Sequence, residues 1–495
     1  MTITPTEEQL AILSAVKSDP RSLIISALAG AAKTTTLVMA ANAMTPVPTF
    51  CGAFNKRIAD EMGKRMPSFI TCSTMNSIGH RVWGQTVQRK LSLNTDKGYE
   101  ILSTIADKSR PESKKAIGGS FASILRATRS AKASGYIPPK FTSMGQALVS
   151  QEEFLVSFAA QSDVEMDGFF FDILDQALEH SIAQAFEGKI DFDDQIYMST
   201  LFGGTYPKYD TVMVDEAQDL SPLNHVTIRK MVGRRLIAVG DPNQAIYAFR
   251  GADTSSMDKL RKEFDARELQ LSTSFRCPIE VVKRAQTRVP HMRWPEWAKE
   301  GKVDRLGEWG AKDVPDGATI LCRNNAPLFK IGMRLIRAGR GVKIVGAEIG
   351  KGLVKIMRDL GPRETLSVDA HKLLSTWEED QIKKAHEARK ASIRDRAECI
   401  RVFLDFGNTL EECIAYAEML FNSAGSINLM TGHKAKGGEW DVVFHLDPFL
   451  IPSKWAREAA ENGDNAQMEQ ELNLKYVIET RSKDTLYLVT SEDFR

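Results

Sequence analysis

Two short stretches of this 495-residue sequence carry the residue types that act on phosphate. The first is Ala27-Leu28-Ala29-Gly30-Ala31-Ala32-Lys33-Thr34, which follows the apolar run Ser22–Ala27 and opens a helical stretch. That is the setting of a Walker A loop, in which backbone N–H groups and the positive end of a helix cradle phosphates. Ala29, Gly30, Ala31, Ala32 and Thr35 would line a bound nucleotide. Lys33 would meet the β- and γ-phosphates, and Thr34 would ligate Mg²⁺. Ala27 and Ala32 stand where the general pattern has glycine, and the Ala32 methyl falls where backbone must approach phosphate closely.

The second stretch is Asp215-Glu216-Ala217-Gln218-Asp219, after the apolar run Val212-Met213-Val214. Adjacent carboxylates at a strand end supply both needs of phosphate hydrolysis, a metal ligand (Asp215) and a base for the attacking water (Glu216). A solvated acidic turn fits poorly behind three residues of buried type.

The elements that must position these groups are legible as apolar, β-branched runs that each end in a polar loop: Ser22–Ala27, Thr211–Val214 and Arg235–Val239. Helical stretches such as Lys56–Met66 and Pro222–Met231 alternate with them. This pattern predicts an α/β fold of parallel sheets flanked by helices, with the chemistry at the strand ends. A second series, Ala318–Cys322, Val342–Val345, Asn428–Met430, Val442–Leu446 and Thr485–Val489, predicts a second such domain.

Composition narrows the class without naming it. The formal net charge of +1 hides opposed regions: residues 79–140 hold twelve Lys/Arg against four Asp/Glu, and residues 151–195 hold twelve acidic residues against Lys189 alone. The basic stretch suits either approaching DNA or a solvated helical face. Six scattered cysteines with no Cys-x-x-Cys pair argue against a disulfide framework or a zinc site. No apolar run is long enough to span a bilayer, so a soluble chain of a reducing, cytoplasmic compartment (bacterial or phage-infected) with no membrane partner is expected.

Beyond these two stretches, the sequence resembles the UvrD/Rep-like superfamily 1A DNA helicases, in detail the helicase core of the F-box DNA helicases. Asp215–Asp219 has the form of that family's motif II. Thr6-Glu7-Glu8-Gln9 resembles its Q motif, Phe54-Asn55-Lys56 motif Ia, Thr74-Met75-Asn76-Ser77 motif Ib and Asp191-Phe192-Asp193-Asp194 motif Ic. Gly240–Ala252 resembles motif III, Ser274-Phe275-Arg276 motif IV, Thr431–Trp440 motif V and Tyr476–Arg481 motif VI.

The resemblance implies two RecA-like P-loop NTPase domains, 1A (1–85 and 185–273) and 2A (274–349 and 425–495). It also implies mainly helical insertions, 1B (86–184) and a reduced 2B (350–424). Gln9 would read the adenine edge, Phe275 would pack on adenine, and Gln244 would sense the γ-phosphate. Arg276 and Arg481 would be arginine fingers, with Gly437 and Glu439 beside the nucleotide. Phe54, Asn55, Lys56, Thr74, Met75, Asn76, Tyr247, Phe249, Arg250, Thr431 and His433 would line the DNA track, with Phe249 the leading candidate for base stacking. Family members often have arginine after the Lys-Thr pair; Thr35 here predicts looser base selectivity. Only Ser491–Arg495 follows motif VI, which predicts no fused C-terminal nuclease.

The expected activity is therefore ATP- and Mg²⁺-dependent, 3′→5′ translocation of a monomer on single-stranded or tailed duplex DNA, with helicase action. Two alternatives are open: a protein-stripping translocase with weak unwinding, and a nucleotide-gated DNA-binding protein with little turnover.

Overall fold

The computed structural model describes residues 4–53, 55–161, 168–247, 255–346, 348–383, 387–463 and 465–495. The chain divides into two compact units, residues 1–27 with 32–271, and residues 28–31 with 272–495. The expected boundary at 273/274 lies two residues from the observed one.

In chain order the strands are β1 (Leu23–Ala27), β2 (Thr49–Ala53), β3 (Ile70–Thr74), β4 (Ser92–Leu93), β5 (Lys189–Ile190), β6 (Tyr209–Val214) and β7 (Val232–Gly240). They continue with β8 (Arg267–Leu271), β9 (Lys302–Arg305), β10 (Thr319–Cys322), β11 (Val342–Ile344), β12 (Ile427–Thr431), β13 (Trp440–Leu446) and β14 (Ser482–Val489). The first unit is built on a six-stranded sheet of order β3-β2-β6-β7-β1-β8. Every pairing in it is parallel, with Ile24 opposite Ala238 and Cys51 opposite Met213. The second unit has a sheet of order β11-β12-β10-β13-β14-β9, also parallel throughout.

Parallel strands are covered on both faces, which is why their central residues are apolar without alternation. Val212, Met213, Leu236, Ile237 and Ala238 are fully buried in the first sheet, and Ile320, Leu321, Phe444 and Leu486 in the second. Sequence reading named β1, β6, β7, β10, β11, β12, β13 and β14 in substance; β2 and β3 escaped it.

The region expected to form 1B is helical: Lys97–Lys108, Pro111–Ser134, Gln151–Gln161 and Gly168–Phe186 surround their own apolar core. The region expected to form 2B holds four helices, Glu348–Leu360, Ser367–Lys383, Glu387–Leu404 and Leu410–Asn422. Much of the charge of the basic stretch is spent internally. The Lys97 and Lys132 ammoniums are buried against Asp194 at 2.5 and 2.7 Å, Lys132 also meets Asp191 at 2.7 Å, and Lys140 faces Glu179 at 3.4 Å. The opposed charges of residues 79–140 and 151–195 thus meet inside one subdomain. Among the described residues no helix is long and apolar enough to cross a membrane, and all six cysteines are free.

Candidate active site

In the first unit the candidate residues converge at the C-terminal ends of β1, β6 and β7, where a parallel sheet collects its chemistry. After β1 the chain turns at Ala32 (φ 56°, ψ 40°) into the helix Lys33–Ala43. Left-handed backbone at a residue bearing a Cβ costs about 1–2 kcal/mol, so the departure from glycine is felt in the backbone itself. Helix entry places Thr34 Oγ1 to donate to Asp215 Oδ2 at 2.9 Å, and Lys33 Nζ 3.9 Å from Glu216 Oε2. Glu216 is likewise left-handed (φ 54°, ψ 43°), a strained position at the proposed base.

Asp215 lies at the end of β6 with little exposure. Burial and the neighbouring Glu216 carboxylate push its pKa up to about 6, against the pull of Lys33 and the Thr34 hydroxyl. A buried carboxylate crowded by a second one, with a hydroxyl beside it, is a donor set that a divalent cation would satisfy.

Gln218 joins this cluster to β7. Its Nε2 donates to Glu216 Oε2 at 2.7 Å, and its Oε1 accepts from the Asp241 N–H at 3.0 Å. Asp241 is fully buried, and burial raises its carboxyl pKa despite Lys33; its Oδ2 accepts from Gln244 Nε2 at 2.7 Å. Gly240 leaves room for this crossing, since a β-carbon there would lie 2.5 Å from Gln218 Oε1. A continuous polar chain therefore runs from Lys33 through Glu216, Gln218 and Asp241 to Gln244. Gln218 and Asp241 were not singled out from sequence. Both stood inside the quoted motifs, and the signal was an amide and a carboxylate beside apolar strand ends.

Gln9 is buried, but its amide is occupied. Oε1 accepts from Thr6 N–H in a capping box, and Nε2 donates to Thr36 Oγ1 at 2.9 Å. This fixes the helix Glu7–Ser18 on the phosphate-loop helix, and reading a base edge would require exchanging one of these bonds. Thr35 is half-buried on the same helix.

The second unit holds Phe275, Arg276, Gly437, Glu439 and Arg481, together with Leu28–Ala31. There Ala29 N–H donates to Tyr476 Oη and Phe275 N–H to the Gly30 carbonyl, both at 2.9 Å. Arg276 Nε donates to Glu439 Oε2 at 2.6 Å, and Gly437 is left-handed (φ 84°) and exposed. Arg481 is only 1% exposed. Its guanidinium donates to the Val477 carbonyl (2.9 Å) and Gly438 carbonyl (3.3 Å), capping the end of the helix Ala466–Glu479. The structure thus places Arg481 in an inward position.

Of the residues assigned to a DNA track, Phe54, Phe249 and Arg250 lie outside the described residues. Asn55 and Thr74 serve as helix N-caps, accepting from Ile58 N–H (2.9 Å) and Ser77 N–H (3.1 Å). Lys56 is exposed, and Tyr247, Thr431 and His433 are half-buried. Met75 is a correction: at 8% exposure it packs into the core over β2, so it does not offer a surface for stacking. Asn76 donates from Nδ2 to the Phe192 carbonyl at 2.7 Å, and Phe192 itself is 53% exposed. Phe192 is an aromatic surface that sequence reading quoted but did not assign to the track.

Comparison with known proteins accords with this geometry. Residues 7–265 match the UvrD/REP helicase N-terminal domain, and residues 371–493 match the UvrD-like helicase C-terminal domain. F-box DNA helicase 1 of Gallus gallus is 25% identical over 517 residues, covering 98% of this chain and 49% of that protein. F-box DNA helicase protein 1 of Schizosaccharomyces pombe is 26% identical, covering 58% of this chain and 34% of that protein. The ATP-dependent DNA helicase PcrA of Bacillus subtilis is 25% identical, covering 67% and 49%. This chain spans about half the length, or less, of the curated relatives it matches. The match of the N-terminal domain over more than half the chain, with the motif residues gathered at the strand ends, shows that this protein belongs to the UvrD/Rep helicase family and that its two parallel-sheet units are RecA-like domains.

Proposed function

We propose that this protein is an ATP-dependent DNA helicase that translocates 3′→5′ on single-stranded DNA, loading on single strands or tailed duplexes. The observation that carries this reading is the cluster of Lys33, Thr34, Asp215, Glu216, Gln218, Asp241 and Gln244 at one end of the first sheet. In it the Ala29–Ala32 backbone and Lys33 hold the phosphates of ATP, and Glu216 orients and deprotonates the attacking water. Thr34 and Asp215 would hold Mg²⁺, which neutralises phosphate oxygens when bound. Gln244, tied to Glu216 through Asp241 and Gln218, carries the state of the γ-phosphate toward Tyr247 and the DNA track. Arg276 and Arg481 stabilise charge that develops on the γ-phosphate. For Arg481 this requires the guanidinium to leave part of its carbonyl cap.

The test is the steady-state ATPase rate with and without single-stranded DNA, on the native chain and on Lys33→Ala. Stimulation by DNA that Lys33→Ala abolishes is the expected outcome; a rate indifferent to DNA and to Lys33 would sink the reading. Duplexes with opposite overhangs then test direction, and opening of 5′-tailed substrate alone would overturn the polarity. The left-handed Ala32 favours a second reading, a nucleotide-gated DNA-binding protein with little turnover. A native chain that is inert, with Ala32→Gly restoring hydrolysis, would establish that second reading.

A further inference from the structure

The segment between the helix Ile279–Ala285 and β9 presents an aromatic side chain in an unusual way. Trp297 is 71% exposed, yet it is not on a loose loop. On one side, Arg293 exchanges backbone hydrogen bonds with Ser272 and Ser274, each at 2.9 Å, and the adjacent Met292 is fully buried. On the other, the Lys299 and Glu300 carbonyls accept from Ile279 and Glu280 N–H at 2.9 and 3.0 Å. Between these anchors Pro295–Ala298 closes a tight turn, Ala298 N–H to Pro295 carbonyl at 2.9 Å, with Trp297 at its tip. The turn holds the indole over the Phe275 ring, with centroids 6.2 Å apart and planes 27° from parallel.

This stack is looser than the buried ones of the same protein. Tyr136–Phe154 and Phe329–Phe403 have centroids 5.4 and 5.7 Å apart. A flat ring inserted between two others needs roughly 6.8 Å, twice the ~3.4 Å spacing of stacked bases. The two rings are therefore only a few tenths of an ångström short of admitting a planar heterocycle. Exposing an indole at a pinned turn forgoes burial worth about 1.5–3 kcal/mol for a large apolar side chain, a cost that ligand contact would recover. The neighbourhood says which heterocycle. Phe275 N–H is bonded to the carbonyl of Gly30, in the loop whose backbone is assigned to phosphate.

We propose that Phe275 and Trp297 form an aromatic clamp that takes a nucleobase between their rings, the base of the bound nucleotide. The proposal rests on the assignment of the Ala29–Thr34 loop to ATP phosphates. Trp297 supplies the second platform that Thr35 cannot, and Gln9, whose amide is already bonded to Thr6 and Thr36, is not needed for base binding. A clamp of two rings holds any base by its faces, so it confers affinity with little selectivity among ATP, GTP and CTP.

The experiment is calorimetric titration of the native chain, Trp297→Ala, Trp297→Phe and Lys33→Ala with three probes: Mg-ADP, inorganic tripolyphosphate and a single-stranded oligonucleotide. Because Trp297 is exposed, its replacement leaves the thermal unfolding midpoint nearly unchanged. Trp297→Ala is expected to weaken ADP binding about 5- to 150-fold, the range for loss of one stacking ring. Tripolyphosphate, which has no base, binds it as it binds the native chain, and Trp297→Phe recovers most of the ADP affinity. ADP affinity of Trp297→Ala equal to native overturns the clamp while leaving the phosphate loop intact. Loss confined to the oligonucleotide also overturns it, because the clamped base would then belong to DNA. A native chain that binds neither ADP nor tripolyphosphate, or a Lys33→Ala chain that binds both as the native does, removes the phosphate-loop assignment and the clamp together.

Discussion

Replacing Asp194 by alanine is expected to destabilise the first unit by about 3–5 kcal/mol, the usual effect of leaving a buried charge without its partner. Asp194 is fully buried and accepts from the Lys97 ammonium at 2.5 Å, the Lys132 ammonium at 2.7 Å and the Asp191 N–H at 2.9 Å. Without its carboxylate, Lys132 keeps Asp191 at 2.7 Å, but Lys97 keeps only the Ser181 carbonyl at 2.8 Å, with 1% of its side chain exposed. Burial already lowers the Lys97 pKa, so some of the cost is met by loss of its proton. The same pair sets a pH dependence. Burial raises the Asp194 pKa, but Lys132 and Lys97 override it and bring it down to about 2. A carboxylate depressed in this way stabilises the fold above its unfolded pKa of about 4, and loses that contribution as pH falls toward 2. The amount is roughly 2 kcal/mol. The assay is urea unfolding of native, Asp194→Ala, Lys97→Met and Lys97→Met/Asp194→Asn chains followed by circular dichroism at pH 7 and pH 3. The midpoint should fall by about 1 M or more in Asp194→Ala and recover partly in the double variant. Because Asp194 also fixes the segment carrying Phe192, DNA affinity should fall with it. A loss below about 1 kcal/mol, or a double variant no better than the single, would refute the account of this network as a mutually dependent charge cluster.

Ala32→Gly relieves a left-handed alanine but frees the unfolded chain, so its net stabilisation is expected between about 0 and 1.5 kcal/mol, read as a small rise in melting temperature with unchanged or faster ATP turnover. Asp215→Asn removes a carboxylate whose pKa burial and Glu216 push up to about 6. A raised acid costs stability as pH rises from about 4 through about 6, so at pH 7.5 this variant should melt higher, by roughly 1–3 kcal/mol, while ATPase is lost; a lower melting point would contradict this. Gln218→Leu strands the Asp241 N–H and separates Glu216 from Gln244. It should lower DNA-stimulated kcat by about tenfold or more with KM for ATP little changed, and an unaltered kcat would show that the chain of hydrogen bonds is not used.

What the sequence by itself determined was everything carried by contiguous residues. A β-branched run followed by a phosphate-binding loop, or by paired acids, is a local pattern, and β1, β6 and β7 lie where those patterns put them. The family followed from the same contiguous motifs in their order. β2 and β3 escaped because Thr49-Phe50-Cys51-Gly52-Ala53 and Ile70-Thr71-Cys72-Ser73-Thr74 are short and mixed in polarity; they become strands by pairing with each other, and β2 also with β6. Only the tertiary structure decided which side chains are spent on the fold. Met75 and Arg481 turn inward, Asn55 and Thr74 cap helices, Gln9 binds Thr36, and lysines 97 and 132 neutralise an aspartate far along the chain. Tertiary structure also set the backbone of Ala32 and Glu216 in the left-handed region and threaded Gln218 between Glu216 and Asp241. These outcomes depend on pairings between residues remote in sequence, and burial sets their energies: a charge or amide that water would satisfy at the surface must find its partner inside.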